Sequence, residues 1–113
     1  MKIEINEVGE NLRQVTLTGR LDTSGVLGIE PRFVTGIVPG GKNAIIDISQ
    51  VDFIGSMGIR MFIAVARNMK DRNAKLALYA PQPNVFEVLE SAWFRKLVPV
   101  CADAEEASAA VSA

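Results

Sequence analysis

The chain has 113 residues, 49% of them apolar and 22% charged, and 12 basic against 13 acidic side chains leave a formal charge of −1. That balance suits one compact domain over residues 1–113 and offers no basic surface for a nucleic-acid backbone or an anionic membrane, so neither direct nucleic-acid binding nor membrane insertion is expected. Histidine is absent and cysteine occurs once, at Cys101, which excludes an internal disulfide, a Cys/His metal site and the Ser-His and Cys-His nucleophile pairs.

From Met1 to Glu7 the chain alternates apolar and polar residues, unlike the basic patch and apolar run of a signal peptide. The longest largely apolar run, Met61 to Ala66, is far too short to cross a bilayer. A reducing, cytoplasmic setting is therefore the expectation.

Ile3 and Ile5 share one face of a first strand, and Val15, Leu17, Gly19 and Leu21 one face of a second. With Glu7 to Asn11 as the turn, the pair reads as a hairpin. Asp22, Thr23 and Ser24 supply capping side chains for a helix to about Ile37, weakened by Gly25, Gly28, Pro31 and Gly36. After the break at Pro39-Gly40-Gly41, Ala44 to Ile48 is apolar on both faces, the pattern of an interior strand under helical cover.

A second helix is predicted from Ser56 to about Asp71 and a strand from Lys75 to Tyr79. Pro81 and Pro83 precede a third helix from about Asn84 to Ala92. A short strand, Leu97 to Val100, is pushed to a sheet edge by Pro99, and the alanine- and glutamate-rich tail from Asp103 reads as a last helix. The order implies an α/β domain: a mixed sheet of four to five strands that starts with a hairpin, with about four helices covering mainly one face.

At 100° per residue, Gly58, Ile59, Phe62, Ala66 and Met69, with Val65 beside them, form the predicted core stripe of the second helix. Arg60, Ala64, Arg67 and Asn68 lie opposite. Met57 and Met61 fall on the flank, so a small apolar patch beside the Arg60 cation is expected to face solvent near Ser56. Methionine adapts to a partner's surface, and arginine pairs bidentately with carboxylates. The plainer alternative is that both methionines are ordinary boundary residues.

Ser56 stands where a strand hands over to this helix. Its hydroxyl either caps the helix or is a modification site, where a phosphate meets free N–H groups and the positive end of the helix dipole. Gly55-Ser56-Met57-Gly58 is not a hydrolase elbow, because position 54 is isoleucine where glycine is required. Gly36-Ile37-Val38-Pro39-Gly40-Gly41-Lys42 has the spacing of a phosphate-binding loop, but Asn43 stands where the magnesium-binding hydroxyl belongs and a strand follows where a helix must. No nucleotide or other cofactor is expected.

Thr18-Gly19-Arg20-Leu21-Asp22 resembles the G-x-L-D stretch of STAS domains. Ile46-Asp47-Ile48-Ser49-Gln50-Val51-Asp52-Phe53-Ile54-Gly55-Ser56-Met57-Gly58 resembles the approach to the D-S-S-G or D-S-x-G signature of anti-sigma factor antagonists. The resemblance extends along nearly the whole chain. It implies a non-enzymatic domain that binds an anti-sigma factor that is also a serine kinase, is released by phosphorylation at Ser56, and is reset by a serine phosphatase. Together with the face of the second helix turned away from its core stripe, this gives an expected contact surface of Asp22, Gly55, Ser56, Met57, Gly58, Arg60, Met61 and Ala64. Gly55 departs from the acidic residue usual before the phosphorylated serine, Met57 from the common second serine, and Trp93-Phe94 from the frequent glycine and leucine. Two alternatives stay open: a STAS domain serving as an unphosphorylated scaffold or as a regulatory subunit of a transporter or lipid-transfer complex, and a minimal enzyme running on carboxylates or lysine.

Overall fold

The computed structural model describes residues 1–112. Strands β1 (Lys2–Gly9) and β2 (Leu12–Leu21) form the expected hairpin. Its turn is tighter than predicted: both strands continue through the Glu7–Asn11 stretch, leaving Glu10 and Asn11 between them, with a bulge near Gly9. Helix α1 (Thr23–Ile37) follows, then β3 (Asn43–Ile54), α2 (Ser56–Lys70), β4 (Leu76–Tyr79), α3 (Pro83–Ser91), a short 3-10 turn (Phe94–Lys96), β5 (Val100–Cys101) and α4 (Ala104–Ser112).

The five strands lie in chain order, β1-β2-β3-β4-β5, antiparallel at the hairpin and parallel from β2 onward. β3 is interior, and Ile46 is fully buried. Its alternation sends Ile46 and Ile48 into the main core and Ile45 to the opposite face. The main core joins that sheet face to α1, α2 and α3 through Val26, Phe33, Phe62, Val65, Val85 and Leu89. Phe33, Phe62 and Phe94 form a chain of edge-to-face rings at 5.7 and 6.2 Å. α4 alone covers the other face, closing Ala107 and Val111 over Ile45, Ala77, Tyr79 and Cys101.

Two strand limits differ from the sequence expectation. β3 runs six residues past Ile48, to Ile54. There it overhangs β4, which pairs only with residues 44–47, and its free edge is closed instead by side chains of the α3 entrance: Gln82 Nε2 donates to the Ser49 carbonyl at 3.0 Å and Asn84 Nδ2 to the Asp52 carbonyl at 2.8 Å. Leu97 to Val100 is not the last strand. The 3-10 turn occupies the approach, and β5 is confined to Val100 and Cys101, at the sheet edge as expected.

Candidate functional site

The C-terminal ends of the parallel strands β2 and β3 bring two chain turns together. Leu21 pairs with Ile54, and the Gly55 N–H donates to the Leu21 carbonyl at 3.0 Å. Asp22 and Gly55, each following its strand, therefore sit side by side at the starts of α1 and α2.

The two helix starts are finished differently. At α1, Asp22 is the N-cap and its Oδ1 accepts the Gly25 N–H at 2.8 Å. That backbone hydrogen bond, then the Arg20 guanidinium 3.5 Å from Oδ2, holds the Asp22 carboxyl below its ordinary range. A side chain on Gly25 would collide with the Arg20 carbonyl oxygen, so only glycine fits the turn. At α2 the N-cap is Gly55, which has no side chain to offer. Its carbonyl accepts from the Gly58 and Ile59 N–H groups at 3.1 and 3.2 Å, and the amides of Ser56 and Met57 have no intrahelical acceptor.

Ser56 is thus the first helical residue and not the cap. It is exposed, and its hydroxyl has no hydrogen-bond partner among the described residues. The capping reading of Ser56 is corrected by one position: a residue in the first turn already has helical backbone, whereas a capping hydroxyl works from the extended conformation that Gly55 holds.

Along α2, Arg60 and Ala64 are exposed on the same side as Ser56, and Arg60 has no ionic or hydrogen-bond partner among the described residues. Met57 is half-buried. Met61, expected on the exposed flank, is only 1% accessible and belongs to the core. The buried stripe is Gly58, Met61, Phe62, Val65 and Met69, while Ile59 and Ala66 are only half-buried, so the contact arc is turned by about 50° from the one predicted at 100° per residue. Gly58 is likewise a packing residue: a Cβ there would lie 3.0 Å from Ile54 Cγ1 and 3.1 Å from Leu21 Cβ. Of the eight expected contact residues, the fold leaves Ser56, Arg60 and Ala64 exposed and Asp22, Gly55 and Met57 partly so, and it withdraws Gly58 and Met61.

Arg20 and Phe53 were not anticipated. They are register partners at the ends of β2 and β3, the Arg20 guanidinium lies 4.4 Å from the centre of the Phe53 ring, and that ring approaches to 3.4 Å of the position a Gly55 side chain would take. Both are exposed, and they extend the surface from Asp22 toward Ser56. No local sequence pattern marks them, because the contact forms only where β3 continues beyond Ile48 and pairs Ile54 with Leu21.

No group of three or more potential metal ligands occurs among the described residues, and no helix there is long and apolar enough to cross a membrane.

Comparison with known proteins gives a consistent result. The sequence is 26% identical over 110 residues, 97% of this chain and 94% of the relative, to BtrV of Bordetella bronchiseptica, named as a candidate anti-sigma factor antagonist. An anti-sigma-factor antagonist (STAS) domain protein of Planctomyces limnophilus superimposes with a TM-score of 0.84 at 20% identity, with 98% of each chain covered. The anti-sigma factor antagonist SpoIIAA of Bacillus gives 0.79 in its unphosphorylated form, at 22% identity over 98% of this chain and 96% of that one, and 0.70 in its phosphorylated form, at 20% identity over 97% and 99%. The profile of the STAS domain family matches residues 2–107. With that match spanning nearly the whole chain, the protein belongs to the STAS domain family.

Proposed function

We propose that this domain is an anti-sigma factor antagonist whose partner docks on the exposed side of α2 and the adjoining turn after β2, and that phosphorylation of Ser56 releases the partner. The observation that carries the reading is Ser56 itself: an exposed hydroxyl without an internal partner, at the open start of a helix, beside an unpaired arginine one turn on. The name of BtrV and the two solved forms of SpoIIAA support the same reading.

The chemistry is a competition between two environments for one phosphate. In the free domain the phosphate adds about −1.5 to −2 charges at a helix N-terminus, where the dipole and the Ser56 and Met57 amides favour negative charge. Against a partner surface shaped for a neutral hydroxyl the same charge is desolvated without a counter-ion from the partner, and an unmatched buried charge commonly costs about 3–5 kcal/mol. Binding is switched while the fold is left intact. The partner is an anti-sigma factor that is also a serine kinase, and a serine phosphatase reverses the modification. The domain itself contributes a surface and no catalysis.

Capture from the native cell with Ser56→Ala as bait, compared with Ser56→Asp, tests the reading. Retention of an anti-sigma kinase by the alanine variant alone supports it. Equal capture by both variants, or transport components in place of the kinase, would assign the domain to a scaffold role.

A further inference from the structure

Every ionised side chain of α2 is a cation. Arg60, Arg67 and Lys70 are its only charged residues, and its first turn holds no acid. Helices α1 and α4 are finished the other way: Asp22 closes the start of α1, and α4 opens with Glu105 and Glu106 behind the Asp103 carboxylate, which accepts the Glu106 N–H at 2.9 Å. The helix dipole favours an acid near a helix start and disfavours a cation. With Arg60 close behind its positive end and no acid to offset it, α2 is electrostatically incomplete.

Arg60 stands four residues after Ser56. Side chains at that spacing are neighbours on a helix surface, about 5–6 Å apart at Cβ, and an acid placed four residues before a base is the favourable order. Ser56 and Arg60 are both exposed, and Arg60 has no ionic or hydrogen-bond partner among the described residues. Nothing nearby in the chain competes for it: α2 has no carboxylate, Gly55 has no side chain, and Asp22 in the adjoining turn is already held by the Gly25 N–H and by Arg20. Arg67 falls on the same stripe of α2 but lies about 16 Å from Ser56 along the helix axis, too far for contact.

We propose that Arg60 is the internal partner of a phosphate on Ser56, its guanidinium folding back one helical turn to bind the phosphate oxygens. This pairing rests on the reading of Ser56 as the phosphorylated residue, in which the γ-phosphoryl group of ATP passes to Ser56 Oγ, ADP leaves and the hydroxyl proton is released. A guanidinium presents a planar fork of donors that matches two phosphate oxygens, and it stays charged at every physiological pH. Phosphorylation then changes the docking surface twice over. It places an anion where a hydroxyl stood, and it occupies the cation one turn on that the unmodified domain offers free.

Phosphorus NMR titration of the full chain in low-salt buffer, with the phosphate on Ser56 installed by genetic encoding of phosphoserine, tests the pair without kinase or partner. The second ionisation of phosphoserine lies near pH 6, and a paired cation favours the dianion, so pairing lowers it. The phosphate pKa is expected to be lower in the wild-type background than in Arg60→Gln by about 0.5 or more, while Arg67→Gln, which removes an equal charge from the same stripe, should stay close to wild type. Arg60 and Arg67 are exposed and without internal partners, so both variants should fold normally. Equal values in wild type and Arg60→Gln, or an equal rise in both variants, would overturn the pairing: the first would leave the phosphate to backbone amides and solvent, the second to the overall charge of the helix. Either result is separate from the fate of the switch itself, which fails if the kinase leaves Ser56 unmodified.

Discussion

Gly58 of α2 rests directly on Leu21 at the end of β2, where a Cβ would come within 3.1 Å of the Leu21 Cβ and 3.4 Å of its carbonyl oxygen. This approach seats the start of α2 against the β2–α1 turn and so holds Ser56 beside Asp22. Gly58→Ala forces both neighbours to yield by a few tenths of an ångström and is expected to destabilise the domain by about 1 kcal/mol, the helix preference for alanine offsetting part of the strain. Gly25→Ala meets the Arg20 carbonyl, part of a backbone held in the sheet, and should cost about 3 kcal/mol or more. Urea denaturation ranks the two, and an equal or reversed order would contradict the packing described.

Met57 and Met61 separate stability from binding. Met61→Ala empties a buried site beneath α2 and is expected to cost about 2–5 kcal/mol, whereas Met57→Ala, at a half-buried position, should cost clearly less. Thermal melts of the two variants give the comparison directly.

Arg60 is exposed and unpaired in the free domain, so its charge can be reversed without breaking an internal contact. Arg60→Glu should leave the melting temperature within a few degrees of wild type and weaken binding to the proposed anti-sigma partner by about tenfold or more. Calorimetric titration measures the second effect and differential scanning calorimetry the first.

Asp22 sets an acid limb on stability. The Gly25 N–H bond, then Arg20, lowers its folded pKa below the unfolded value near 3.8, so its contribution is fully present above the unfolded value and is lost as pH falls through the lower, folded one. The gap in stability between wild type and Asp22→Ala should therefore be constant from neutral pH down to about pH 5 and shrink as acidification continues below about pH 4. Denaturation across that range checks the sign. A gap that widens in acid would mean that Asp22 is not the ionised cap.

How far the sequence could be read depended on whether local pattern or tertiary contact decided each feature. The hairpin, the interior position of Ile46 and the cap at Asp22 follow from alternation and capping chemistry, and they appear as expected. The orientation of α2 was harder, because Met57, Ile59, Met61, Phe62, Ile63, Val65, Ala66 and Met69 wrap apolar side chains round most of the helix. Packing chose among them: Phe62 is fixed between Phe33 and Phe94, Gly58 fits over Leu21, and that rotation draws Met61 inward. The predicted strand stopped at Ile48, and Gln50 and Asp52 break the apolar run in the far half of β3. Its overhang beyond β4 tolerates polar side chains, and the bonds from Gln82 and Asn84 that close it come from 33 and 32 residues away. Arg20 and Phe53 were hidden for the same reason, since their contact exists only once β3 reaches Ile54 beside Leu21.

The most direct measurement is incubation of the wild-type domain with the anti-sigma kinase proposed as its partner and ATP, followed by intact mass, peptide mapping and partner binding on the same sample. A single phosphate on Ser56, a melting temperature nearly unchanged and a loss of affinity of about a hundredfold or more are predicted, because the free helix start accepts the charge and the partner contact does not. No phosphate, a phosphate mapped to another residue, or undiminished binding by the Ser56-phosphorylated domain would contradict it.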